Sequence, residues 1–313
     1  MDKNLITSIK AKITNHKNLL LYIVLCIIWS TTWSAIKIGL QDTPASVGIA
    51  LRFTIGSLVL FLYIFFKGKK IHLNRHYLLF YFLVGIFNAG FSYYLTYRGM
   101  HYIPSSLSSI LWTGLPLIVG ILSHFFIKDE QLTAIKIISS LVAMIGVINI
   151  LSDRNLVYNQ EVLFGGLITL LAVLCGAISG VIAKKWQKPY DPVVLTAFSL
   201  GFGAALHLIN GTIFNDWAEF VATPTSVASI LYLGIFGSAL VFSIYYYLLQ
   251  RVSLVKLAFI TFITPVTASL IGWGVLDEKI TFREIIGMLI IFSGLILYDW
   301  KKYLRFYKKR IMK

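Results

Sequence analysis

Long apolar runs follow one another almost without pause along the chain, separated by short stretches where lysine, arginine, glycine and proline collect. Their length decides their conformation. A helix needs about 20 apolar residues to cross the hydrocarbon layer, whereas a barrel strand alternates between two faces over about ten. The runs are continuous, so they predict helices at residues 19–38, 46–66, 77–98, 104–127, 133–151, 163–185, 193–213, 226–249, 254–276 and 283–300. The expected fold class is an all-α integral membrane protein of ten transmembrane helices, with the lipid bilayer as its principal partner. Composition agrees, because 58% of the 313 residues are hydrophobic and 13% charged, against about 25% charged in soluble domains.

A net charge of +15 would suit a nucleic-acid partner if it were gathered on one surface. It is instead distributed by membrane side. With the N-terminus inside, the cytoplasmic segments hold 20 basic residues, among them Lys67, Lys69, Lys70, Lys184 and Arg251; the outer segments hold five, Lys37, Arg98, Arg154, Lys279 and Arg283. That asymmetry predicts both termini in the cytoplasm and no nucleic-acid partner. The tail KKYLRFYKKR reads as an anchor at the membrane surface. The N-terminal lysines resemble the start of a signal peptide, but no small-residue cleavage site follows Trp29, so the segment is expected to be the first span of a bacterial cytoplasmic-membrane protein. Cys26 and Cys175 fall within apolar runs, and no HExxH or close Cys/His set occurs; no metal, cofactor or catalytic residue is expected, and a membrane enzyme or scaffold is the minor alternative.

The chain repeats itself. PLIVGILSHFFIKDEQLTAIKIISSLVAMIG from Pro116 aligns with PVTASLIGWGVLDEKITFREIIGMLIIFSG from Pro265: the prolines are 149 residues apart, and Glu130 and Glu278, like Gly146 and Gly294, are 148 apart. Upstream, Lys37 and Lys184 pair at 147. The unit is five helices used twice, and an odd number of spans turns the second copy upside down, the arrangement of many secondary transporters. The expected organisation is a cytoplasmic segment at 1–18, a first repeat at 19–151, a connection at 152–162, a second repeat at 163–300 and a basic tail at 301–313. The Asp-Glu pairs at 129–130 and 277–278 stand just before helices and should complement their N-terminal dipoles, with gating or coupling as the alternative. Pro116 and Pro265 lie within spans and are candidate hinges or gates.

The order and spacing of these residues resemble the drug/metabolite transporter superfamily, specifically its ten-helix EamA-type permeases. The resemblance covers residues 19–300. It is carried by Trp29 with Lys37 in WSTTWSAIK, Arg52 in LRF, and proline followed by glutamate in each copy, Pro116 with Glu130 and Pro265 with Glu278. Gly287 and Gly294 match the later glycines, while the first copy has Ser139 with Gly146. The resemblance implies two inverted five-helix repeats around a central cavity that carries a small organic solute across the membrane.

Helical spacing supplies the candidate solute contacts. Trp29, Trp33 and Lys37 form one stripe, and Trp29 lies about 12 Å deeper than Lys37 at about 1.5 Å per residue, which favours an interior face over a lipid-facing one. At the same positions the second copy has Gly176, Gly180 and Lys184, a spacing that permits close helix approach. The third span offers Asn88, Ser92 and Thr96 beside Tyr93 and Tyr97; the fourth offers Ser109 and Trp112; in the eighth, Tyr246 aligns with Tyr97. Arg52 either snorkels to the outer surface or contacts an anion. Aromatic walls with hydroxyls suit an amino-acid-like or drug-like solute, exported by alternating access; import or exchange of a quaternary amine such as choline is the alternative. No carboxylate lies mid-span, so the expected carrier is a facilitator, an exchanger or weakly proton-linked through His101, His124 or His207.

Overall fold

The structure is a computed structural model that describes residues 3–128, 130–151, 160–276, 281–298 and 300. Asp129, Asp277, Glu278, residues 152–159 of the connection and the 301–313 tail lie outside the described residues. Every regular element among the described residues is helical.

In chain order the helices are α1 (Lys3–Gly39), α2 (Ala45–Phe66), α3 (Arg75–Tyr102), α4 (Ser105–Trp112 and Leu115–Phe126), α5 (Ala134–Leu151), α6 (Gln160–Lys185), α7 (Pro192–Ile213), α8 (Pro224–Leu249), α9 (Leu254–Ala258 and Ile260–Leu276) and α10 (Phe282–Tyr298). Seven of them, α1 to α4 and α6 to α8, contain a stretch long and apolar enough to cross a membrane; α5, α9 and α10 hold shorter apolar stretches. Side chains such as Phe65, Phe66, Phe125 and Leu289 point outward, as hydrocarbon contact requires.

Local chemistry fixes the helix starts. The Asn74 side chain accepts from the Tyr77 N–H to open α3, and Asp191 accepts from the N–H groups of Val193 and Val194 to open α7. Thr223 and Ser226 form a reciprocal capping box at the start of α8. Pro192 and Pro224 occupy first-turn positions, where a missing N–H costs nothing. The same holds for Pro116, which stands in the first turn of the second half of α4, after an interruption at Thr113 and Gly114. Pro265, by contrast, is inside the second segment of α9.

Two helices contain π-helical turns, Ile86–Ser92 in α3 and Ile235–Leu240 in α8. They begin at the same register of the two copies. The chain divides into two compact units: one takes residues up to Gly90 with Gln187–Val252, the other Phe91–Trp186 with the chain from Ser253 onward. Each unit therefore draws on both copies of the repeat.

Glycines set the closest approaches within each unit. In the first, a Cβ on Gly85 would stand 2.8 Å from the Ser199 carbonyl oxygen, and one on Gly234 would stand 3.0 Å from that of Arg52. Gly85 and Gly234 are 149 residues apart, and Arg52 and Ser199 are 147 apart, so one contact is built twice, α3 on α7 and α8 on α2. In the second unit, a Cβ on Gly146 would meet the Gly287 carbonyl at 2.7 Å and one on Gly294 would meet that of Ser139 at 2.8 Å, which locks α5 against α10.

Candidate functional site

In the first unit the middle of α1 carries three hydroxyl side chains in a row, Ser30, Thr31 and Thr32. Its hydroxyls bond backward along the helix: Ser30 donates to the Cys26 carbonyl at 2.6 Å and Thr32 to that of Trp29 at 2.8 Å. Thr31 donates to the Ile28 carbonyl at 2.7 Å and shares a 2.5 Å hydrogen bond with the Tyr232 hydroxyl. Such bonding satisfies a hydroxyl without a partner from outside. Trp29 differs. Its ring lies 6.0 Å from Phe242 in an edge-on arrangement and 5.8 Å from Tyr245, yet its buried Nε1–H donates to no group among the described residues. Trp33 is partly buried and Lys37 is exposed near the helix end. Asn88 Nδ2 donates to the Tyr246 hydroxyl across a long 3.5 Å, and Tyr246 is fully enclosed.

Arg52 is anchored inside the fold and does not reach the outer surface. It is 1% exposed, with Nε donating to Ser238 Oγ at 2.7 Å and Nη2 to the Gly237 carbonyl at 2.6 Å. Its reach is spent inward because the π-helical turn of α8 presents a carbonyl there. His207, also 1% exposed, points Nε2 at the carbonyls of Ala89 and Gly90, at 3.1 and 3.2 Å. Both partners are acceptors, so Nε2 carries the proton.

The second unit is packed differently. Ser92 donates to the Ala172 carbonyl at 2.8 Å, which ties this part of α3 to α6, and Thr96 donates back along α3 to the Ser92 carbonyl at 2.8 Å. Tyr97 is buried, while Tyr93 and Ser109 are partly exposed. Trp112 covers the bare face of α6: a Cβ on Gly176 would stand 3.3 Å from its ring and 3.2 Å from Ser92 Oγ. Its Nε1–H, like that of Trp29, has no partner among the described residues.

Glu130 corrects the expectation that it serves the helix following it. Both its oxygens accept from the Leu254 N–H at 2.9 Å, and Lys184 Nζ lies 3.7 Å from Oε1. The carboxylate is buried, and the opening turn of α9 brings an N–H that no intrahelical carbonyl can satisfy, so it caps that helix.

Two consecutive stretches, residues 16–152 and 163–298, match the EamA-like transporter family. The chain belongs to that family. This EamA-like chain is 30% identical over 272 residues to the uncharacterized transporter YoaV of Bacillus subtilis, across 87% of its own length and 92% of that protein. It is 28% identical over 287 residues to an uncharacterized transporter of Buchnera aphidicola, covering 88% and 91% of the two chains. A solved crystal structure shares its fold at a TM-score of 0.74 and 18% identity, with 90% of this chain and 96% of that one covered. The protein is thus a multi-pass membrane transporter of the EamA-like family.

The EamA-like frame places the predicted residues on both compact units. Trp29, Trp33, Lys37, Asn88 and Tyr246 stand on the first, and Ser92, Tyr93, Tyr97, Ser109, Trp112, Pro116 and Pro265 on the second. Asn88 and Tyr246 are brought together; Trp29 gains Phe242 and Tyr245, which sequence spacing did not single out. A charged or titratable residue inside an apolar run was the available signal for Arg52 and His207.

Proposed function

We propose that this chain is a secondary transporter of the bacterial cytoplasmic membrane, with both termini cytoplasmic, that exports a small amino-acid-like or drug-like amphiphile by alternating access through its two inverted repeats. The observation that carries the reading is the aromatic face of the first unit: Trp29 against Phe242 and Tyr245, with a buried indole N–H that has no acceptor among the described residues. A buried donor costs about 1–3 kcal/mol when left unmade, and a solute acceptor recovers that cost. Trp33, Lys37, Asn88 and Tyr246 extend the same face, and Lys37 suits a carboxylate or phosphate handle. In the second unit the same reading assigns solute contact to Tyr93, Tyr97, Ser109 and Trp112, with Ser92 holding their helix in place and Pro116 and Pro265 serving as hinges.

A second reading is favoured by the same rings. Indole and phenol faces attract organic cations by about 0.5–2 kcal/mol, so a quaternary amine, imported or exchanged, fits the aromatic face without using Lys37. Thermal stabilisation of the purified protein by amino acids, quaternary amines, nucleosides and sugar phosphates separates the two. A solute at 100 times its dissociation constant adds about 2.7 kcal/mol. One responding class, lost in a folded Trp33→Ala variant, supports the aromatic face and names the cargo; an unchanged response in that variant removes α1 from the site.

A further inference from the structure

The two π-helical turns start at Ile86 and Ile235, 149 residues apart, the same offset that separates Gly85 from Gly234 and Tyr97 from Tyr246. A π-turn widens the helix by one residue and loosens its hydrogen-bond ladder, and such turns occur mostly at functional sites. In a membrane the carbonyls it misdirects have no water to turn to, so the protein must supply donors. Here it does so twice. His207 of α7 donates to the carbonyls of Ala89 and Gly90, and Arg52 of α2 donates to that of Gly237 and to the Ser238 hydroxyl. In both cases the donor is a buried basic side chain on the second helix of the opposite copy.

The two donors are not repeat partners. Arg52 corresponds in register to Ser199, two helical turns before His207. Different residues at different depths therefore converge on the same stretch of backbone. That convergence points to the turns themselves as the feature being held. What they carry explains why: Asn88 lies within the first, and Phe242, Tyr245 and Tyr246 follow directly after the second, facing Trp29 and Asn88. Relaxation of a π-turn to an α-helix rotates everything beyond it by about 100°, one residue's worth of a 3.6-residue turn.

We propose that Arg52 and His207 are positioning residues that clamp the two π-turns, and that the clamps set solute affinity by fixing the rotation of Asn88 and of the Phe242, Tyr245 and Tyr246 rings relative to Trp29. The affinity half rests on the aromatic-face reading above; the clamp half does not. Arg52 uses two donors of one planar guanidinium, an arrangement that lysine cannot reproduce. His207 uses one N–H, which a glutamine amide retains.

The test is amide hydrogen exchange of the purified full-length protein, with solute half-saturation measured on the same preparations of wild type, Arg52→Lys, His207→Ala and His207→Gln. The clamps predict local and reciprocal effects. Arg52→Lys should raise exchange across residues 235–240 at least tenfold and leave 86–92 unchanged; His207→Ala should do the reverse, and His207→Gln should stay near wild type. Half-saturation by the stabilising solute class should rise severalfold in Arg52→Lys and His207→Ala, and not in His207→Gln. Exchange that rises equally in both turns, or in neither, overturns the clamps. Local exchange with unmoved half-saturation overturns the positioning role. If no solute class stabilises wild type, the aromatic-face reading fails and takes the affinity half with it, while exchange alone decides the clamps.

Discussion

At the register where α1 carries Trp29, Trp33 and Lys37, α6 carries Gly176, Gly180 and Lys184, 147 residues later. On α1 the first position is an indole turned toward Phe242 and Tyr245. On α6 it is bare, and the indole comes from another helix, as Trp112 lies over Gly176. The third position diverges as well: Lys37 is exposed, whereas Lys184 approaches the buried Glu130 that caps α9. Duplication gives two equal frames, and exchanging large for small residues along one stripe gives them unequal work. Both faces keep an unspent indole N–H among the described residues, but that of Trp29 stands beside the Phe242 and Tyr245 rings, whereas that of Trp112 belongs to a ring packed over bare Gly176.

Changes on the α6 stripe should therefore cost stability, changes on the α1 face should cost solute response, and a change at Trp112, which covers α6 and is assigned solute contact, should cost both. The largest effect is expected from Glu130→Ala, which removes the carboxylate beside Lys184 and the acceptor of the Leu254 N–H; losing one member of a buried pair costs about 3 kcal/mol, visible in a thermal melt. Trp112→Ala comes next, at about 2–3 kcal/mol, because Gly176 has no side chain to fill the gap. Gly176→Ala should lose about 1 kcal/mol, since the Trp112 ring must yield by a few tenths of an ångström. A Gly176→Ala, Trp112→Phe double variant should lose less than the sum, and full additivity would show that the two do not touch. The smallest stability change, within about 0.5 kcal/mol, belongs to Lys37→Gln at its exposed site. An anionic solute should bind that variant more weakly, and a quaternary amine should bind it as it binds wild type.

The seven long helices were legible because a run long enough to span the bilayer leaves few conformations open to it. The stripe on α1 was legible because helical spacing alone aligns Trp29, Trp33 and Lys37. Other features depend on partners far along the chain. Arg52 meets Gly237, and Glu130 meets Leu254, across more than a hundred residues, so neither destination could be read from neighbouring positions. The π-turns leave no mark in composition, since one extra residue in a turn changes no hydrophobic run. The helical start of α1 at Lys3 was hidden by polarity, because SIKAKITNHK lacks the apolar content that announces a span. Pro116 looked like a mid-helix kink until the break at Thr113 and Gly114 placed it in a first turn.

Thiol accessibility reads out the unequal work of the two faces. In a chain with Cys26 and Cys175 replaced by alanine, single cysteines at Trp33 and at Gly180 would be challenged with a small water-soluble thiol reagent, with and without the stabilising solute. Labelling at position 33 should be suppressed severalfold by solute, and position 180 should label little under either condition. Equal labelling at the two positions, with equal protection, would contradict that inequality.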